Sequence, residues 1–183
     1  MLKHLKGEEN LRVLDIGPTS PSNINFLTSL GHSCYMADVV HEAVTGDWTA
    51  PSEDDSGAPG FDVRRFIDQT LDFGGRRFDV VLLWTTLDYI PQPLVQPLIN
   101  HLYAAMHTGG RVLAIFHTKA TGPNTAYCRY HLTDADAIEM QDYEPHPVLQ
   151  VYTNRMIEKL FSQFGNYRFF LAKDNTYEVI ITR

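Results

Sequence analysis

The chain has 183 residues, 44% hydrophobic and 20% charged, the balance of a globular protein long enough to bury a sizeable core. Its net charge of −7 argues against a nucleic-acid backbone or an anionic membrane as the main partner, since either requires a basic surface. No apolar run approaches the ~20 residues of a membrane-spanning helix, residues 1–10 are charged without an apolar signal core, and Cys34 and Cys128 form no CxxC, which predicts reduced thiols in a cytoplasmic protein.

The chain opens on Leu11-Arg12-Val13-Leu14-Asp15-Ile16-Gly17, an apolar run of the kind that forms a strand covered on both faces. Gly17 permits a tight turn, and Ser20-Pro21 supplies an N-cap followed by a proline at the first helical position. Ile24, Phe26, Leu27 and Leu30 recur at helical spacing up to Gly31, and Ser33–Ala37 reads as a second strand ending at Asp38. Strand, helix and strand within about thirty residues make a βαβ unit.

Residues 50–60 read as a loop, and Phe61–Ile67 as a short edge strand closed by Asp68, with a helix start as the alternative. Phe78–Trp84 is a second continuous apolar strand. Leu94 to Met106 repeats at helical spacing, with Pro93 and Pro97 expected in its first turns, and Gly109-Gly110 ends it before a third strand, Arg111–His117. Residues 118–152 are irregular, with a turn at Gly122-Pro123-Asn124. Tyr130–Gln141 reads equally as a pair of short strands or a lid, and Tyr127, Tyr130 and Tyr143 as a pocket cover or as packing for an extension. A helix over Thr153–Phe164 and two strands, Tyr167–Ala172 and Tyr177–Thr182, joined through Asp174-Asn175, complete a single domain over 1–183. The order predicts an α/β fold, a doubly wound, mostly parallel sheet with an antiparallel last strand.

These parts, in this order, resemble the class I S-adenosylmethionine-dependent methyltransferases over nearly the whole chain. The family's first motif, acid-x-Gly-x-Gly-x-Gly, reads here Asp15-Ile16-Gly17-Pro18-Thr19-Ser20-Pro21, with Thr19 and Pro21 in place of the second and third glycines. Asp38 stands where the family ends its second strand in the acid that holds the ribose, 21 residues after Gly17, near the ~20 expected of such a βαβ site. Asp68 matches the third acidic position, near the adenine, and Phe78-Asp79-Val80-Val81 the fourth motif. The resemblance implies a Rossmann-like methyltransferase fold, S-adenosylmethionine as cofactor and a small-molecule acceptor. It implies cofactor contacts from Asp15, Gly17, Thr19, Asp38, Val39, Asp68, Trp84, Thr85 and Tyr89.

The same residues also carry plainer readings. Asp15 and Asp38 suit turns, and Trp84 and Tyr89 suit a core. An inactive methyltransferase-like binding protein is the alternative function, on the altered glycine motif, whereas a nicotinamide oxidoreductase would need G-x-G-x-x-G and finds only Gly17. No metal site is expected: His41-Glu42 begins like HExxH, but Thr45 holds the second histidine's place, and Asp134-Ala135-Asp136 suits a solvated loop. No catalytic residue is assigned. His117, at a strand end on the ligand side, is the one histidine considered as a base.

Overall fold

The computed structural model describes residues 1–51, 60–119, 125–135, 137–171 and 176–183. In chain order the elements are α1 (Leu2–Gly7), β1 (Arg12–Ile16), α2 (Pro21–Ser29), β2 (Ser33–Ala37), α3 (Val39–Thr45), β3 (Thr49–Ala50), β4 (Gly60–Phe61), α4 (Val63–Thr70), β5 (Phe78–Trp84), α5 (Thr86–Tyr89), α6 (Gln92–Ala104), β6 (Met106–His117), β7 (Thr125–Leu132), β8 (Ile138–His146), α7 (Asn154–Leu160), β9 (Asn166–Leu171) and β10 (Thr176–Thr182). Six strands form one sheet in the order β2-β1-β5-β6-β10-β9. β1, β2, β5 and β6 are parallel, and β10 runs antiparallel to both β6 and β9. This is the expected doubly wound sheet with a reversed last strand.

The continuous apolar runs are explained by burial on both faces. Leu14, Val81, Leu83 and Phe116 face a core closed by α4, α6 and α7. Val13, Val80, Leu82 and Leu113 face a second core with Leu5 of α1, Leu27 of α2 and Leu132 of β7. At the head of α2 the Ser20 hydroxyl accepts from the Asn23 amide at 3.1 Å and Pro21 takes the first turn. Gly31, at φ 81, ends that helix in the left-handed region. Among the described residues, no helix is long and apolar enough to cross a membrane.

Three expectations are corrected. Phe61–Ile67 is no edge strand: pairing stops at Gly60–Phe61 and α4 follows, with the Asp62 carboxylate accepting from the Arg65 amide at 3.0 Å. The physical reason is the i, i+3, i+4 spacing of Val63, Phe66 and Ile67, which buries Phe66 against the Trp48 ring at 4.9 Å. Pro97 lies inside α6, not in its first turn. The Gly109-Gly110 pair falls within β6, and α6 has already ended at Ala104. Of the two readings of Tyr130–Gln141, the paired strands are realised, as the antiparallel β7–β8 ribbon. The turns expected at Gly122-Pro123-Asn124 and Asp174-Asn175, and Asp136, lie outside the described residues.

Candidate active site

The C-terminal ends of β1, β2, β5 and β6 meet at one edge of the sheet, where doubly wound folds bind ligands. Asp15, 1% exposed, is held there from two sides. The Trp84 indole N–H donates to Oδ1 at 2.6 Å and the Asn23 amide to Oδ2 at 2.8 Å. Burial pushes the Asp15 carboxyl up to about 6, against the pull of those two donors. Trp84 ends β5 at φ 46, a left-handed backbone that is costly for a bulky side chain. Its ring stacks on Tyr130, centroids 5.0 Å apart and 6° from parallel. A Cβ added to Gly17 would stand 3.2 Å from the Trp84 ring and 3.8 Å from the Tyr127 hydroxyl.

The β7–β8 ribbon is fastened over this turn through α2. Asn23 donates to the Tyr130 carbonyl at 3.0 Å and accepts from the Leu132 amide at 2.7 Å, and Ser20 Oγ lies 2.8 Å from His131 Nδ1. Thr85 Oγ1 is 3.4 Å from the Tyr130 hydroxyl, and the Thr86 hydroxyl donates to the Ile16 carbonyl at 3.0 Å. One chain of contacts therefore joins β1, α2, β5 and β7.

Asp38 caps α3, Oδ1 accepting from the His41 amide at 3.1 Å, and burial raises its carboxyl above the ordinary range. Around it lie buried polar atoms without a hydrogen-bond partner: His41 Nδ1, His146 Nε2 and the Tyr127 hydroxyl. Both imidazole nitrogens stand 3.7 Å from Glu144 Oε2, beyond hydrogen-bond reach. Burial, then Asp38, drive the Tyr127 phenol well above its ordinary value, so it stays a neutral donor.

Asp88, 0% exposed, orients His117. Its Oδ2 accepts from the His117 amide at 2.8 Å and from Nδ1 at 2.7 Å, while Oδ1 has no partner. An ionised carboxylate only accepts, so this contact places the ring proton on Nδ1 and the lone pair on Nε2. The Tyr89 ring meets the imidazole edge-on at 5.9 Å and the Tyr127 ring at 5.0 Å.

Of the residues singled out from the sequence, Asp15, Gly17, Trp84, Thr85, Tyr89 and Asp38 converge at this edge. Thr19 is exposed beside the turn, and Val39 is buried core one residue past Asp38. Asp68 does not join them. It is exposed on α4, paired with Arg64 at 3.7 Å, and lies beside Leu71 and His101, toward the start of β5. The helix that replaces the expected edge strand carries it there. Sequence reasoning missed Asn23 and Asp88: each acts through a partner distant in the chain, and no spacing rule flags such pairs.

An adenosine-bearing ligand fits the donor set at the Asp38 end. Asp38 Oδ2 makes no hydrogen bond among the described residues, and three unpartnered polar atoms lie close by. Against Gly17 the space is taken by the Trp84 and Tyr127 side chains. Among the described residues, no group of three or more His, Cys, Asp or Glu side chains is arranged to hold a metal ion.

Comparison with known proteins agrees with the fold. A methyltransferase from Methanosarcina mazei, described as S-adenosylmethionine-dependent, superposes with a TM-score of 0.55 at 14% identity, over 100% of this chain and 96% of that one. The 1,6-didemethyltoxoflavin-N1-methyltransferase of Burkholderia thailandensis, solved with 1,6-didemethyltoxoflavin and S-adenosylhomocysteine, gives 0.54 at 12%, over 100% and 75%. An S-adenosylmethionine-dependent methyltransferase from Mesorhizobium loti gives 0.50 at 10%, over 96% and 92%. At these identities the likeness is one of fold. No curated protein matches the sequence. Residues 2–167 match the family described as a methyltransferase domain. The chain therefore belongs to the class I S-adenosylmethionine-dependent methyltransferases.

Proposed function

We propose that the chain transfers a methyl group from S-adenosylmethionine to a small-molecule acceptor held between the strand ends and the β7–β8 ribbon, with His117 as the base that takes the acceptor's proton. The observation that carries this reading is the Asp88–His117 pair, which presents Nε2 as an acceptor at the ligand edge of the sheet. The bound cofactor supplies a methyl group already activated on its sulfonium. The chain then has to align the acceptor, exclude water and remove one proton.

In this reading the free oxygen of Asp38 accepts from the ribose, with Val39, Thr85 and Tyr89 beside it. Thr19, exposed beside the turn, carries the amino-acid end, with Asp15 and Gly17 shaping the turn beneath it. Asp88 keeps Nδ1 protonated, so a proton leaving an acceptor O–H or N–H goes to Nε2. The Burkholderia relative, solved with a small heterocycle bound, supports an acceptor of that size. Cys34 is in no disulfide, which suits a reducing, cytoplasmic setting.

One observation favours a second reading, a methyltransferase fold used for binding alone: Trp84 and Tyr127 stand against Gly17. Calorimetric titration with S-adenosylhomocysteine separates the two. The proposal expects micromolar binding that Asp38→Ala weakens at least tenfold. A folded protein that takes up no ligand refutes it and leaves the second reading standing.

A further inference from the structure

A cleft of about 710 Å³ lies away from the strand ends, on the β6–β10–β9 face, between α1 and the tip of the β7–β8 ribbon. Its volume is that of a small-molecule site. The register explains its lining. Arg111 pairs with Thr182, Leu113 with Ile180, and Ile180 with Arg168, so these side chains share one sheet face. Leu113 and Ile180 form an apolar floor and Leu132 and Ile138 an apolar wall, with Lys3, Arg111 and Arg168 around them and Glu178 as the one carboxylate among the described lining residues.

Arg111 stands out among the arginines. Four are half-buried: Arg65, Arg111, Arg129 and Arg183. Arg65 lies over the Trp48 ring and donates to the Asp47 carbonyl. Arg129 lies over Tyr143 and donates to Gln141. Arg183 lies over Tyr103 and donates to the Met106 carbonyl. Arg111 has no ring, hydrogen-bond or ion-pair partner among the described residues, and neither does the exposed Arg168. The field of this guanidinium is felt locally: after burial, Arg111 is the main influence lowering the affinity of His4 for a proton. A half-buried cation bonded to no carboxylate among the described residues, in a protein of net charge −7, can receive an oxyanion.

We infer that this cleft binds an amphipathic anion, its carboxylate or phosphate head on Arg111 and Arg168 and its aliphatic tail along Leu113, Ile180, Leu132 and Ile138. The inference does not rest on methyl transfer, because the cleft contains none of the residues assigned to hold cofactor or acceptor.

Calorimetry with decanoate, decyl phosphate, decanol and inorganic phosphate tests it on the full chain. Decanoate or decyl phosphate is expected to bind at micromolar to submillimolar concentration, and whichever binds tighter identifies the head group. Decanol and phosphate, each lacking one half of the chemistry, bind at least tenfold more weakly. Arg111→Gln and, separately, Arg168→Gln weaken the amphiphile tenfold or more, with circular dichroism unchanged and S-adenosylhomocysteine titrations unaltered. Three results overturn the inference: no amphiphile binds, both arginine variants bind as well as the parent, or the amphiphile displaces S-adenosylhomocysteine. Sedimentation showing a dimer that Arg111→Gln dissolves also overturns it, by making this face a self-interface.

Discussion

The Trp84 indole donates to an Asp15 carboxylate oxygen at 2.6 Å, and the same ring lies against Gly17, so the residue ending β5 seals the turn that follows β1. Trp84→Phe keeps much of the stack on Tyr130 but removes the donor. The loss of a buried hydrogen bond to a charged group is expected to cost about 2–3 kcal/mol, read as a fall in the urea midpoint at unchanged slope.

Asp15 makes folding pH-dependent. Its carboxyl is raised by burial from 3.8 to about 6 in the folded protein, so the folded state holds a proton that the unfolded chain has released. Its contribution is fully present below about pH 4 and is lost as pH rises through about 6, on the order of 2–3 kcal/mol. Urea midpoints from pH 4 to 7, compared with those of Asp15→Asn, isolate the effect: the slope attributable to Asp15 vanishes in the variant.

Asn23 ties three segments together through Asp15, the Tyr130 carbonyl and the Leu132 amide. Asn23→Ala is expected to destabilise the protein by about 2–4 kcal/mol, since it strands buried partners. Hydrogen exchange should quicken in β7 and β8 well before it does in β1, β5 and β6. Uniform acceleration across the sheet would count against the ribbon as a separately fastened unit.

The buried Tyr127 hydroxyl has no hydrogen-bond partner among the described residues, so Tyr127→Phe should be neutral or stabilise the free protein by about 1 kcal/mol. If that hydroxyl serves a bound ligand, affinity for S-adenosylhomocysteine falls several-fold in the same variant. Paired thermal-shift and calorimetric measurements read the two opposite signs.

His117 and Asp88 predict a kinetic signature. With an acceptor identified by release of S-adenosylhomocysteine, His117→Gln should lower kcat by about 10²–10⁴ with little change in cofactor affinity. Asp88→Asn keeps an oxygen for the two His117 donors and removes only the negative charge facing the ring, so it should lower kcat with little change in cofactor affinity. An unchanged kcat would assign Asp88 a purely structural part.

Much of the fold was legible from local rules. Apolar runs in β1, β5 and β6, the Ser20-Pro21 cap and the Asp38 spacing follow from burial and backbone geometry within a few residues, and together they resemble a known family. Phe61–Ile67 was misread because a short apolar run suits strand and helix alike, and only packing of Phe66 on Trp48 decides between them. That error also misplaced Asp68. By itself, then, the sequence determined the main strands, the mostly parallel sheet with its reversed last strand and the acid-and-glycine turn, since each is carried by patterns along the chain. Tertiary structure alone decided that Trp84 and Tyr127 close over Gly17, that Asp88 orients His117, and that Arg111 faces a cleft unpaired. These are contacts between residues tens of positions apart, brought together by the β7–β8 ribbon and the strand ends.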